Sequence, residues 1–134
     1  MNSIKSVVKR KSIVTPIRYS MKDEQEVILI SEAVQKEKER SYMYESNFHS
    51  LHESESVIRE ELEEVTEEVN KVQHSFEQLH VAMRNDAVDA YVESLVYLRQ
   101  HAWDLVCEAI QVVAMADKSI DSFEGEAIKK LSQE

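Results

Sequence analysis

The chain has 134 residues, 43% of them apolar, and a formal net charge of −10, which is room for one ordinary domain with its own core. One Gly and one Pro in the whole sequence exclude folds built on tight turns and glycine-rich loops, because β-hairpins, dinucleotide fingerprints and phosphate-binding loops need residues that tolerate positive φ. An all-α fold remains. Cys107 is the single cysteine, so neither an internal disulfide nor a cysteine-based zinc cluster can form within the chain. No apolar run approaches the roughly 18 residues of a membrane span, and a reducing cytoplasm is the expected compartment.

The charge is unevenly divided. Residues 1–20 carry Lys5, Lys9, Arg10, Lys11 and Arg18 and no acid, so this arm is +5 and the remainder −15. Its Ser and Thr content, with Pro16 holding Thr15 extended, predicts a flexible basic arm over 1–20 ahead of a single all-α domain over 21–134. Such an arm suits contact with an anionic surface: nucleic acid, anionic lipid, or an acidic protein face, including the body of its own dimer. The composition also fits an organelle transit peptide, although the apolar stretch of a secretory signal is missing. The acidic body repels phosphate, which confines any nucleic-acid contact to the arm.

From Val27 onward apolar residues recur at alternating steps of three and four: Val27, Ile30, Val34, Tyr44, Phe48, Leu51, Ile58, Leu62, Val65, Val69, Val72, Phe76, Leu79 and Met83. A 3.5-residue repeat held this long predicts a coiled-coil seam. It fails at Glu37, Ser41 and Glu55, beside the poor helix formers Ser46, Asn47, Ser50, Ser54 and Ser56. The register is the same on both sides, which favours one continuous helix from about Lys22 to Met83, roughly 90 Å long. A turn at 46–56 is the alternative.

Arg84-Asn85-Asp86 interrupts the pattern as a short turn would, with Asn85 or Asp86 placed to cap a second, antiparallel helix running to about Ala116. That helix repeats the step in Val88, Tyr91, Leu95, Leu98, Ala102, Leu105, Ala109, Val112 and Ala116. A neighbouring row, Val92, Val96, Trp103, Val106, Ile110 and Val113, widens its apolar face, and Asp89, Glu93, Gln100, Asp104, Glu108 and Gln111 form a polar stripe expected to face solvent. So wide a face must meet two or more helices, which predicts a coiled-coil or bundle assembly. After Asp117 the phase breaks, and Asp121 with Glu124 has capping-box spacing for a short C-terminal helix carrying Ala127, Ile128 and Leu131. The segment from Val113 to Glu124 is similar to the helix–turn–helix of TerB-type domains, which carry an Asp-Gly turn followed by Ile-Asp and a Glu. Lys118 stands where their Gly would be. The similarity spans under 30 residues and implies that turn, with no metal or stress-resistance role carried over.

The residue patterns support no catalytic, cofactor or metal site and no small-molecule substrate. Glu77-x-x-His80 is the helical pair used by di-iron bundles, but those sites need two such pairs and the sequence has one. His49, His52 and Glu53 share a helix face, and His74 lies one turn from Glu77, so either group could hold an adventitious transition metal; exposed histidines on a polar flank are the favoured reading. Cys107, flanked by Asp104 and Glu108, is disfavoured as a thiolate and is expected to pack as a small side chain. Tyr91, Tyr97 and Trp103 fit either a core or a partner interface. So does the Tyr-Met-Tyr run after Ser41, which is expected in the seam.

The function expected is therefore non-enzymatic: an acidic helical assembly or adaptor protein, homo-oligomeric or bound to a helical partner. The contacts are predicted at Leu62, Val65, Val69, Val72, Phe76 and Leu79 on the first helix and at Leu95, Leu98, Trp103 and Leu105 on the second. A second reading comes from Glu60, Glu61, Glu63, Glu64, Glu67 and Glu68, whose carboxylates imitate the phosphates of DNA and suit an inhibitor of a nucleic-acid enzyme, of the kind phages encode. A third is a small helical export partner of a secreted protein, similar in shape to WXG100 and LXG-associated chains but lacking the Trp-x-Gly turn and the Tyr-x-x-x-Asp/Glu tail signal.

Overall fold

The computed structural model describes residues 23–133, and the basic arm with Lys5, Lys9, Arg10, Lys11 and Arg18 lies outside them. Three helices and no strand occur among the described residues: α1 Glu24–Tyr44, α2 Leu51–Arg84 and α3 Val88–Gln133. They form two compact units, one of residues 23–56 with 113–133 and one of residues 57–112, so α2 and α3 each contribute to both. No helix among the described residues is long and apolar enough to cross a membrane.

The α1 helix starts where Asp23, in extended backbone, accepts the Gln25 N–H on its carboxylate at 2.9 Å, with Glu24 and Glu26 in the first turn favoured by the helix dipole. The helix ends at Tyr44. Glu45 takes up extended backbone (φ −142°, ψ 144°), so the single rod expected over 22–83 is two helices. The break uses a signal present in the sequence. Ser50 accepts the Glu53 N–H on its hydroxyl at 3.1 Å, and the Glu53 carboxylate reaches back to the His49 N–H at 3.3 Å. This is a capping box displaced by one residue, and it restarts the helix at Leu51. Phe48, in the break, is 4% exposed, so the seam residue at this position is buried outside any helix.

The turn from α2 to α3 is a Schellman motif. Ala87 N–H donates to Ala82 C=O at 2.9 Å and Asp86 N–H to Met83 C=O at 3.1 Å, with Asp86 at φ 53° in the left-handed position usually taken by Gly. The turn falls where the sequence placed it, but Asn85 and Asp86 close α2 instead of capping the next helix. The first backbone bond of α3 runs from Tyr91 N–H to Ala87 C=O.

The separate C-terminal helix expected after Asp117 is absent, as is the TerB-like turn: α3 runs unbroken for 46 residues. The polar residues that resembled a break are its inward face toward α1. Ser119 and Ser122 donate their hydroxyls to the carbonyls of Met115 and Lys118, at 2.9 and 2.8 Å, which satisfies them within the helix. Asp117 and Asp121 both pair with Lys38 of α1. The core of this first unit is Val27, Phe48, Ala114 and Met115 with buried Lys38, Asp117 and Lys118 among them.

Candidate functional site

In the second unit the packing between α2 and α3 runs against the apolar pattern. Its one buried apolar side chain is Ala82, and its buried polar ones are Ser75 and Ser94. The small Ala82, Ser75 and Ser94 side chains let the helices approach, but they remove little apolar area from water. Four of the predicted interface residues stay exposed: Leu62 at 48%, Phe76 at 56%, Leu95 at 41% and Trp103 at 69%. The other six, Val65, Val69, Val72, Leu79, Leu98 and Leu105, are half-buried. Val88, Val92, Val96, Tyr97 and Val106 of α3 are exposed as well.

The space those residues leave is filled by carboxylates. Glu61, Glu64 and Glu68 of α2 and Asp104 and Glu108 of α3 are all half-buried. The stripe read as solvent-facing thus turns Asp104 and Glu108 inward, a correction with a physical consequence. Glu108 loses hydration, shares a hydrogen bond with Glu64 and feels the charges of Glu64, Glu61 and Glu68, which together push its carboxyl up to about 7. One turn away His101 Nδ1 stands 3.8 Å from Glu68 Oε2, while Lys71 Nζ bonds the other Glu68 oxygen at 3.0 Å. Lys71 is held protonated by Glu68 ahead of its other neighbours, with its pKa raised.

Two sets of side chains here bring one ligand atom per residue to within 4.8 Å of one another: Glu61 with Glu64 and Glu108, and Glu68 with His101 and Asp104. That spacing suits a divalent cation. Lys71 Nζ, 3.0 Å from Glu68, brings a positive charge to the second set, while Glu68 Oε2, His101 Nδ1 and Glu108 Oε2 are buried without a hydrogen-bond partner. Sequence reasoning missed both sets. The signal was the i, i+3 pairs Glu61–Glu64 and His101–Asp104, hidden inside what read as two solvated flanks.

The histidines singled out from the sequence are placed differently. His49, His52, His74 and His80 are exposed. His49 Nε2 lies 3.4 Å from Ser46 Oγ, and His74 lies 3.9 Å from the Glu77 carboxylate and 3.3 Å from the Gln78 amide. Glu77 and His74 line an open groove with Gln78, Ser94 and Tyr97. Cys107 is exposed and does not pack as a core side chain. Tyr44 and Met43 are more than four-fifths exposed at the end of α1, outside any seam. Of the six glutamates read as phosphate mimics, Glu60, Glu63 and Glu67 are exposed, while Glu61, Glu64 and Glu68 turn toward α3.

No protein-family model matches the chain, and neither the curated proteins nor the solved structures contain a significant match to it.

Proposed function

We propose that the chain is a helical assembly protein whose antiparallel α2–α3 pair is one layer of a coiled-coil or bundle, completed by a second copy through the apolar stripe of Leu62, Phe76, Leu95 and Trp103. The observation that carries this reading is the inverted burial of the second unit, with Glu61, Glu64 and Glu108 half-buried and Phe76 and Trp103 more than half exposed. Covering side chains of this size contributes about 1–2 kcal/mol each, and exposed apolar side chains on two neighbouring helices suit another helix pair. A helical partner protein would dock on the same stripe in an adaptor role. The role is non-enzymatic in this reading, which rests on the exposed apolar side chains of both helices. The half-buried positions of Glu61, Glu64 and Glu68 weigh against a phosphate-mimicking face. The basic arm is proposed to add a salt-sensitive contact with an anionic surface, and a cytoplasmic setting rests on the single thiol Cys107.

Light scattering on the purified chain tests the proposal. The wild type is expected as a dimer or larger species. Phe76→Asp with Trp103→Asp, at positions exposed in the single chain, should give a monomer with unchanged helical circular dichroism. A monomeric wild type at micromolar concentration overturns self-assembly.

A further inference from the structure

Lys38 of α1 meets Asp117 and Asp121 of α3, while Ser54 at the start of α2 meets Ser119 at 2.7 Å. Residues 38 and 54 therefore stand at the same level of α3. The chain doubles back across 45–50, and a single helix would separate these two positions by about 24 Å. Nothing in 45–50 forbids a helix: the segment Glu-Ser-Asn-Phe-His-Ser has no Gly or Pro, and the heptad register runs through it unchanged from Val27 to Met83.

The contacts that hold the break open converge on one face of α3. Lys118, 1% exposed, donates from Nζ to Ser41 Oγ at 2.8 Å and to the Glu45 carbonyl at 3.4 Å. Its ammonium lies 4.9 Å from the centre of the Tyr42 ring and 4.7 Å from that of Phe48, inside the range of cation–π attraction. One turn on, Ser122 Oγ accepts the Phe48 N–H at 3.0 Å. The last turn of α1 has no basic residue of its own, so Lys118 supplies from another helix the cation that a helix C-terminus favours. It also fills the pocket between the α1 terminus and Phe48. Few apolar contacts assist: the buried residues of α1 are Val27 and Lys38, and Ile30 is 38% exposed.

We infer that Lys118 is a conformational latch and that the chain encodes a second state, in which α1, residues 45–50 and α2 join into one helix from 24 to 84. In that state Val27, Ile30 and Val34 extend the α2 seam. The latch is a property of the single chain and stands whether or not the chain self-associates. Two arrangements of one sequence separated by a small free energy are a recognised basis for switching.

Spin labels at Lys36→Cys and His52→Cys, both at exposed positions, in a Cys107→Ser background read the state directly in the full chain. The latched form places α1 and α2 on one turn of α3, roughly 10–15 Å apart; the joined form places the labelled backbones about 24 Å apart. Lys118→Met should raise the long-distance population from under about a tenth to the majority, with a gain of helical signal at 45–50 by NMR chemical shift. Ser46→Ala with Asn47→Ala and Ser50→Ala leaves the latch residue in place, raises helix propensity and should shift the population in the same direction. Adding Asn47→Pro to the Lys118→Met chain should restore the short distance. Distances that stay short in both helix-promoting variants, or that broaden with a loss of helical signal, overturn the inference.

Discussion

The two units of this chain solve the same problem with opposite chemistry. In the first, unlike charges meet: Lys38 lies between Asp117 and Asp121, and Lys118 reaches a hydroxyl, a carbonyl and two aromatic rings. In the second, like charges meet, with Glu61, Glu64 and Glu68 turned toward Asp104 and Glu108, while Phe76 and Trp103 stay in water. A helix pair that gathers acids inside and aromatics outside lacks the apolar burial that normally holds helices together. The contrast teaches that completeness is local. The first unit pairs Lys38 with Asp117 and Asp121 within itself, and the second leaves Phe76 and Trp103 more than half exposed.

The comparison is broken most forcefully at the buried ion pair. Asp117→Ala leaves Lys38 with Asp121 alone and should cost about 2–4 kcal/mol, because the remaining ammonium is desolvated without its full complement. Chemical denaturation measures the loss. The double change Lys38→Met with Asp117→Leu should recover most of it, and a double variant as unstable as Asp117→Ala would mean the pair is not the source of the stability.

The second unit should respond to pH instead. The Glu108 carboxyl is raised from its ordinary range near 4.5 to about 7 by burial, by Glu64 and by the charges of Glu61 and Glu68. A raised acid favours the protonated fold, so this contribution is fully present below about pH 4.5 and is lost as pH rises through about 7. Glu108→Gln should remove that part of the slope and leave the variant more stable than the wild type at pH 8 by about 1 kcal/mol, the share that survives solvent screening. Denaturation midpoints at pH 5 and pH 8 decide the matter, and parallel pH profiles for the two chains would show that Glu108 carries no such strain.

The smallest effect belongs to the turn between α2 and α3. Asp86 sits at φ 53°, a conformation that costs a side-chain-bearing residue about 1 kcal/mol. Asp86→Gly should stabilise the chain by up to that amount in thermal unfolding, offset in part by the backbone entropy of glycine. No change in oligomeric state should accompany it.

Much of the helical layout was legible along the chain. The near absence of Gly and Pro pointed to an all-α protein, and Arg84-Asn85-Asp86 marked the second turn. The break at 45–50 was legible in principle, since Ser50 and Glu53 have capping-box spacing, but a heptad register in the same phase on both sides argued more strongly for a rod. The stretch from Asp117 to Ser122 misled in the other direction. Polar residues in a helix look the same in sequence whether they end it or face another charged helix, and Lys38, the partner that decides, lies 79 residues away.

The sequence by itself determined where helices are favoured and which residues line their apolar stripes, because both follow from local propensity and from spacing along a single helix. Only the tertiary structure decided which side of α3 faces α2, that Lys118 closes the end of α1, and that carboxylate oxygens of Glu61, Glu64 and Glu108 come within 4.8 Å of one another. Those outcomes depend on desolvation and on charges brought together from distant positions, and the energy of such a meeting is a property of the pair, not of either segment alone.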